Sequence, residues 1–141
     1  MQGKYKFERL LKYPHFRPEE TAIWERFIIK FPNYFESVDY DLKVGTPREY
    51  PEGYPFGLSE AMRELSKKRI DVVGYSGKKV YIVEVEPNAG HPGIGQVLSV
   101  TELYKREHPD VEKVVPVLIT DRENPDIREL CRKFGIVFFV V

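Results

Sequence analysis

The sequence has one cysteine, three histidines and no excess charge, because 22 basic residues balance 22 acidic ones. A lone cysteine, Cys131, excludes an internal disulfide, so we expect a buried thiol on a helix and a cytoplasmic location. The histidines lack the spacing of a zinc site. A zero net charge gives no general support for nucleic-acid binding, although residues 1–17 are locally basic.

Long apolar stretches are also missing, since the longest uninterrupted run is only residues 136–141. That run is too short to span a membrane, and the first residues do not resemble a secretory signal. We therefore expect no membrane partner. The length of 141 residues suits a single domain, with residues 1–17 as a basic lead-in segment that is compatible with a short helix before Pro14.

Apolar periodicity predicts an α/β fold with a mixed central sheet and helices on both faces. Strand–helix–strand units after residue 79 imply parallel neighbours. Alternation in the first long strand predicts that Val38, Tyr40, Leu42 and Val44 share one face. The predicted order is helix 18–31, strand 35–45, loop 46–57, a helix from Ser59 to about Lys67, hairpin 69–86, helix 93–107, strand 114–120, helix 124–134 and strand 136–141.

Three acids lie among β-branched residues in the predicted hairpin, namely Asp71, Glu84 and Glu86. Acids at such positions are costly to bury unless something pairs with them. Because side chains alternate, Glu84 and Glu86 share a face. A two-residue turn at Ser76-Gly77 or at Gly77-Lys78 places Asp71 beside or diagonal to Glu84, whereas a three-residue turn places it on the opposite face. The two-residue turn therefore predicts three carboxylates together.

Such a cluster needs compensation, since two unit charges about 4 Å apart interact by roughly 4 kcal/mol at an effective dielectric near 20. One acid can take a proton, a cation can bind, or a basic side chain can intrude. Oxygen ligands without cysteine or paired histidines suit Mg²⁺ or Mn²⁺. The alternative is that the acids splay apart or pair with Lys79, Lys43 or Arg69.

The order αβββαβ, with an acid in its second strand and an acid-x-acid pair in its third, resembles the PD-(D/E)XK nuclease superfamily over about residues 18–120. Matching pieces are Asp71 in RIDVV, Glu84 and Glu86 in YIVEVEP, and Gln96 in GIGQVLSV. The glutamate of the family's first helix falls at Glu25, or less closely at Glu20. The resemblance implies a restriction-endonuclease-like core that hydrolyses DNA with Mg²⁺ or Mn²⁺ bound by the aspartate and first glutamate.

One departure concerns the chemistry, because the family usually has lysine where this chain has Glu86. The change removes a cation that faces the phosphate and adds a third carboxylate, so Glu86 is a candidate base or metal ligand beside Asp71 and Glu84. We expect a metal-dependent DNA endonuclease, acting as a homodimer or as a module of a larger complex if it cuts both strands. The alternatives are a catalytically silent nuclease-fold protein that binds nucleic acid or has a structural role, and an unrelated enzyme that uses paired carboxylates.

Overall fold

A computed structural model describes residues 2–46 and 68–141. The expected helix from Ser59 to Lys67, and the expected loop 46–57 apart from its first residue, lie outside this range. The described elements are β1 Tyr5–Lys6, α1 Pro18–Lys30, β2 Ser37–Val44, β3 Lys68–Ser76, β4 Lys79–Val85, α2 His91–Glu107, β5 Lys113–Thr120, α3 Pro125–Lys133 and β6 Val137–Val140.

The described strands form one six-stranded sheet in the spatial order β1-β2-β3-β4-β5-β6. Neighbours are antiparallel from β1 to β4 and parallel from β4 to β6. The predicted mixed α/β architecture is therefore confirmed, as is the order αβββαβ from α1 to β5. The pairing changes at the inner strand β4, which is antiparallel to β3 and parallel to β5.

Local chemistry explains where the helices begin and end. Helix α1 starts with a proline that needs no hydrogen-bond partner for its nitrogen, and Glu19 and Glu20 lie in its first turn, where the helix dipole favours acids. Helix α3 is capped by Asn124, whose side chain accepts the Ile127 N–H at 3.4 Å. Gly135, with φ of 71°, follows the end of α3 in the left-handed conformation that glycine favours.

The helices cover opposite faces of the sheet. Helix α1 packs on one face through Trp24 and Phe27, in a core rich in aromatic side chains. Helix α2 packs on the other face through Val100 and Tyr104. Helix α3 lies beside α2 and buries Cys131 completely, so the expectation of a buried thiol on a helix is confirmed.

The expectation that four apolar residues of β2 share one face is wrong. Val38 and Tyr40 pack with α1, whereas Leu42 and Val44 pack in the core formed with α2. The change occurs at Asp41, whose φ of 56° reverses the alternation of side chains. The two ends of β2 therefore contribute to different cores.

The same change of face occurs on β3. Val72 packs on the α1 face and Ile70 packs in the core on the α2 face, although the two residues are two apart. The paired positions of the β2–β3 ladder are Tyr40 with Val72 and Leu42 with Ile70, and the ladder has no pair between them. The side chains of both strands therefore change from one face of the sheet to the other at the same level, at Asp41 on β2 and at Asp71 on β3.

The lead-in segment contains a strand and not the short helix that its sequence allows. Tyr5 and Lys6 pair with Val38 and Ser37 of β2, which gives this backbone its hydrogen-bond partners at the edge of the sheet. The segment continues across the α1 face, where Phe7 and Tyr13 are buried. Among the described helices, none combines the length and the apolar composition needed to cross a bilayer.

Candidate functional site

The β3–β4 hairpin has the register that the sequence predicts. Ser76 pairs with Lys79 and Val72 pairs with Val83, so the connection is the two-residue turn Gly77-Lys78. Gly77 has a φ of 60°, which a glycine adopts without strain in such a turn. Extending this register by one pair places Asp71 opposite Glu84, at the end of β4 from which the chain leaves towards α2.

The regular ladder stops before this pair, and Asp71 fills the gap. The last paired positions at this end are Val72 and Val83. Beyond them, Asp71 Oδ2 accepts the Val85 N–H at 2.9 Å, which is a backbone donor that a regular ladder would give to β3. The carboxylate of Asp71 therefore lies between the two strands, at the point where β3 changes face.

Glu84 is buried and incompletely satisfied. The residue is only 9% exposed, and its Oε1 atom is inaccessible and has no hydrogen-bond partner among the described residues. A protonated Glu84 can share a hydrogen bond with Asp71, whereas an ionised Glu84 leaves a buried charge that this contact does not satisfy. A carboxyl group that the fold keeps in such surroundings is a candidate for function.

The two acids strongly affect each other's protonation. Burial raises the pKa of Glu84 well above its ordinary value, and the nearby charge of Asp71 raises it further. Burial also raises the pKa of Asp71, whereas the hydrogen bond from Val85 acts in the opposite direction. The pair therefore carries less than two negative charges near neutral pH unless a cation is present.

The described basic side chains that could neutralise the acids do not reach them. Within the described part of the chain, none of Asp71, Glu84 and Glu86 takes part in an ion pair with lysine or arginine. Lys79 lies at the opposite end of β4, next to the turn, and Arg69 lies beside Asp41. Among the described residues, the raised pKa values of Asp71 and Glu84 therefore indicate protonation as the compensation for the crowded negative charge.

Glu86 lies near the pair but packs against a different element. Its backbone N–H donates to Ile119 O at 2.9 Å, which continues the pairing with β5. Its carboxyl group lies where a Cβ on Gly93 of α2 would be, so a side chain at this position would require the Glu86 carboxyl group to move. Burial raises the pKa of Glu86, and the charge of Glu20 adds to this effect. Gln96, half-buried, lies one helical turn after Gly93 and thus on the same side of α2.

A metal site formed by all three carboxylates stays a prediction. Residues 2–46 and 68–141 contain no group of three or more histidine, cysteine, aspartate or glutamate side chains arranged to hold a metal ion. The charge of Glu86 nevertheless adds to the raised pKa of Glu84, so Glu86 is near the pair. The donors that come together are Asp71 and Glu84.

These two carboxylates fit Mg²⁺ or Mn²⁺. Magnesium is commonly bound by one or two carboxylates and completes its coordination with water or substrate oxygens. Glu84 Oε1, buried and unpaired, is an oxygen donor that a cation would satisfy. The donor set has no sulfur or nitrogen, which argues against zinc.

Helix α1 contributes Glu20 to this region, and Glu25 lies elsewhere. The charge of Glu20 raises the pKa of both Asp71 and Glu86, which shows that it is near both carboxyl groups. Glu20 Oε1 accepts the Arg17 N–H at 2.8 Å, a contact that holds the glutamate at the start of α1. Glu25 instead accepts the Tyr13 hydroxyl at 3.1 Å and lines a groove of about 430 Å³ outside the carboxylate cluster.

A second group of charged residues, not predicted from the sequence, adjoins the carboxylates. His15 Nε2 lies 2.8 Å from Asp41 Oδ2, and Arg69 Nη1 lies 2.7 Å from His15 Nδ1. Asp41 adds to the charge that raises the pKa of Asp71. The sequence carries no signal for Asp41, because the long connection between β2 and β3 does not set their register as a short turn would. His15 has no signal either, because it comes from the lead-in segment.

No protein-family model, curated protein or solved structure matches this chain. The chemistry of its own residues is therefore the basis for a functional assignment.

Proposed function

We propose that the protein is a metal-dependent endonuclease that hydrolyses DNA phosphodiester bonds, with Mg²⁺ or Mn²⁺ held by Asp71 and Glu84. The observation that supports this proposal best is the unpaired, buried Oε1 atom of Glu84 beside Asp71. The pair lies at the carboxyl end of an inner strand, where mixed α/β sheets commonly have their binding sites. The resemblance of the acid pattern to PD-(D/E)XK nucleases adds support for phosphodiester chemistry.

The protein's own residues have separate roles in this proposal. The hydrogen bond from Val85 orients Asp71, and Glu84 loses its proton when a cation is held. Glu86 has a raised pKa and partial access to solvent, so it can accept the proton that the attacking water loses. Glu20, near Asp71 and Glu86, and Gln96, one helical turn after Gly93, are assigned the orientation of water. The bound metal would activate that water and offset negative charge on the phosphate.

Cleavage of supercoiled plasmid DNA with Mg²⁺ or Mn²⁺ tests this assignment. Asp71→Asn and Glu84→Gln keep the size of each side chain and remove its charge, so each should lower the rate by about 100-fold or more. Glu129→Gln, on the exposed surface of α3, is the matched control and should cleave like wild type. Activity that survives in both site variants would contradict the proposal.

A catalytically silent protein with the same fold is the second candidate. It is favoured by Glu86, which occupies the position where the nuclease pattern has lysine. Glu86→Lys distinguishes the two candidates. A wild type without activity that gains cleavage on this substitution would be a silenced nuclease that binds DNA or has a structural role, whereas an active wild type supports the endonuclease.

The proposal also includes a partner, an oligomeric state and a cellular location. DNA is its expected partner, and a homodimer is expected if both strands are cut, since the described chain has one carboxylate pair of this kind. A cytoplasmic location agrees with the buried, unpaired thiol of Cys131.

A further inference from the structure

His15 and Asp41 share a feature that is unusual for residues with side chains. Their φ angles are 59° and 56°, in the left-handed region that most residues avoid. The two strained residues contact each other, with His15 Nε2 at 2.8 Å from Asp41 Oδ2. Backbone strain of this kind persists only where the surrounding structure enforces it, and it is concentrated at functional sites.

The contact between them orients Arg69. Arg69 Nη1 lies 2.7 Å from His15 Nδ1 and 3.1 Å from His15 Nε2, so it packs against the imidazole ring and does not lie along the in-plane lone pair of Nδ1. Arg69 Nε lies 3.8 Å from Asp41 Oδ1, which is too far for a hydrogen bond. The guanidinium is therefore held against the His15 ring, and its other N–H groups have no hydrogen-bond acceptor among the described residues.

Positive charge is concentrated beside this guanidinium. Lys43 of β2 is directly opposite Arg69 of β3 in the antiparallel ladder. Like charges in directly opposite positions destabilise a sheet, unless an anion lies near both. Asp41 interacts with Arg69, and no described acid forms an ion pair with Lys43. Among the described residues, the two cations therefore face a single acid, Asp41.

This group lies next to the proposed catalytic carboxylates. Arg69 is two residues before Asp71 on β3, and Asp41 is near enough to raise the pKa of Asp71. Arg69 is 32% exposed and His15 is 56% exposed, so a ligand in solvent can reach both. Arginine binds phosphate through paired N–H groups, and a held guanidinium loses less freedom when it does so.

From these contacts we infer that Arg69 is a phosphate-binding residue that contacts a DNA phosphate flanking the one to be cleaved. His15 and Asp41 are positioning residues that hold its guanidinium, and Lys43 adds positive charge to the same site. This inference rests on the proposed nuclease function. The nuclease pattern usually has a lysine that faces the phosphate where this chain has Glu86. In this inference, Arg69 of β3 and Lys43 of β2 supply the positive charge towards the nucleic-acid backbone instead.

Binding of fluorescent duplex DNA at several salt concentrations, with Ca²⁺ in place of Mg²⁺ to prevent cleavage, tests the inference. Arg69→Ala should weaken binding about tenfold and reduce the slope of log affinity against log salt by about one. Arg69→Lys keeps the charge, so it should keep the slope and lose part of the affinity. His15→Ala should lower the affinity with little change in slope. Arg132→Ala removes an exposed arginine of α3 and is the matched control.

The outcomes separate this inference from the function on which it rests. If wild type binds and cleaves DNA, and Arg69→Ala matches Arg132→Ala in affinity and slope, the phosphate site is wrong and the nuclease stands. If wild type neither binds nor cleaves DNA, both proposals fail. An Arg69→Ala protein that melts earlier could lose affinity through unfolding, so the folded Arg69→Lys variant must also bind more weakly, and equality with wild type would overturn the inference.

Discussion

Asp39 on β2 and Glu84 on β4 are two acids of the same sheet with opposite surroundings. Asp39 Oδ1 accepts the Lys4 N–H at 2.8 Å, and its Oδ2 accepts the Tyr75 hydroxyl at 2.7 Å. Glu84 has a neighbouring acid, and its Oε1 has no partner within the described residues. The first acid joins the lead-in segment to β2 and β3, whereas the second is held in an environment that disfavours its charge.

The difference shows how to separate structural from functional acids in a strand. A carboxylate whose oxygens both accept hydrogen bonds stabilises the fold, and its removal leaves the donors unpaired. A carboxylate that is buried without such donors lowers stability whenever it is ionised. Its retention needs another reason, and a cation that binds the folded protein is one.

Addition of a divalent cation should produce the largest difference in stability between variants of Asp39 and variants of Glu84. Metal that binds only the folded state raises the free energy of unfolding by about 2.7 kcal/mol when its concentration is 100-fold above its Kd. Melting temperature measured with and without Mn²⁺ should therefore rise in wild type and in Asp39→Asn, and stay constant in Glu84→Gln. An equal rise in all three proteins would mean that the metal binds elsewhere.

The pH dependence of stability should show the second largest difference. The pKa of Glu84 in the folded protein is raised above its value of about 4.3 in the unfolded chain, so the folded state binds more protons between these two pKa values. Stability should fall as the pH rises through this window, by up to about 1.4 kcal/mol per pH unit for each proton. Asp71 has a raised pKa and adds to the slope in the same direction.

Urea denaturation between about pH 5 and pH 8 measures this slope. Glu84→Gln should flatten it and be more stable than wild type near neutral pH, because the amide needs no proton. Asp39→Asn should keep the wild-type slope and be less stable at every pH, since the Tyr75 and Lys4 donors lose a charged acceptor. A wild-type protein whose stability is constant over this range would contradict the assignment of a raised pKa to Glu84.

A smaller effect on stability tests whether the Glu86 carboxyl group packs against Gly93 of α2. A Cβ at Gly93 would meet the Glu86 carboxyl group, whereas one at Gly95 has nothing within 4 Å. Alanine in place of glycine inside a helix otherwise gains up to about 1 kcal/mol. We expect Gly95→Ala to be as stable as wild type or slightly more so, and Gly93→Ala to be less stable than Gly95→Ala, because the Glu86 carboxyl group must move to make room for the methyl group.

The same pair of variants distinguishes two ligands from three. If Asp71 and Glu84 hold the ion without Glu86, the increase in melting temperature with Mn²⁺ should persist in Gly93→Ala. Loss of that increase in Gly93→Ala, with Gly95→Ala unaffected, would show that Glu86 is a metal ligand.

Much of the site follows from local sequence patterns. A two-residue turn at Ser76-Gly77 or at Gly77-Lys78 predicted that Asp71 lies beside or diagonal to Glu84, and the structure has the turn Gly77-Lys78, whose register places the two acids opposite each other. These features depend on neighbouring residues, because a hairpin's turn length sets its pairing and side chains in a strand alternate. The type and order of the described elements followed from periodicity for the same reason.

Helix α1 shows where local patterns stop being informative. Glu20 and Glu25 both lie in the amphipathic sequence of α1, and spacing favoured Glu25 as the site residue. The start of the helix lies near the carboxylates, so Glu20 is the glutamate whose charge acts on Asp71 and Glu86. Which turn of a helix approaches the end of a strand depends on how the helix packs, and periodicity does not contain that information.

By itself, then, the sequence determined the mixed α/β fold and limited the hairpin turn to a few alternatives, of which the structure has Gly77-Lys78. The tertiary structure decided the change of face at Asp41 and Asp71, the contact of Glu86 with α2 and the meeting of His15 with Arg69. Each of these depends on contacts between residues far apart in the chain. Packing against α1 and α2 imposes backbone conformations, such as the left-handed Asp41, that local preference would not select.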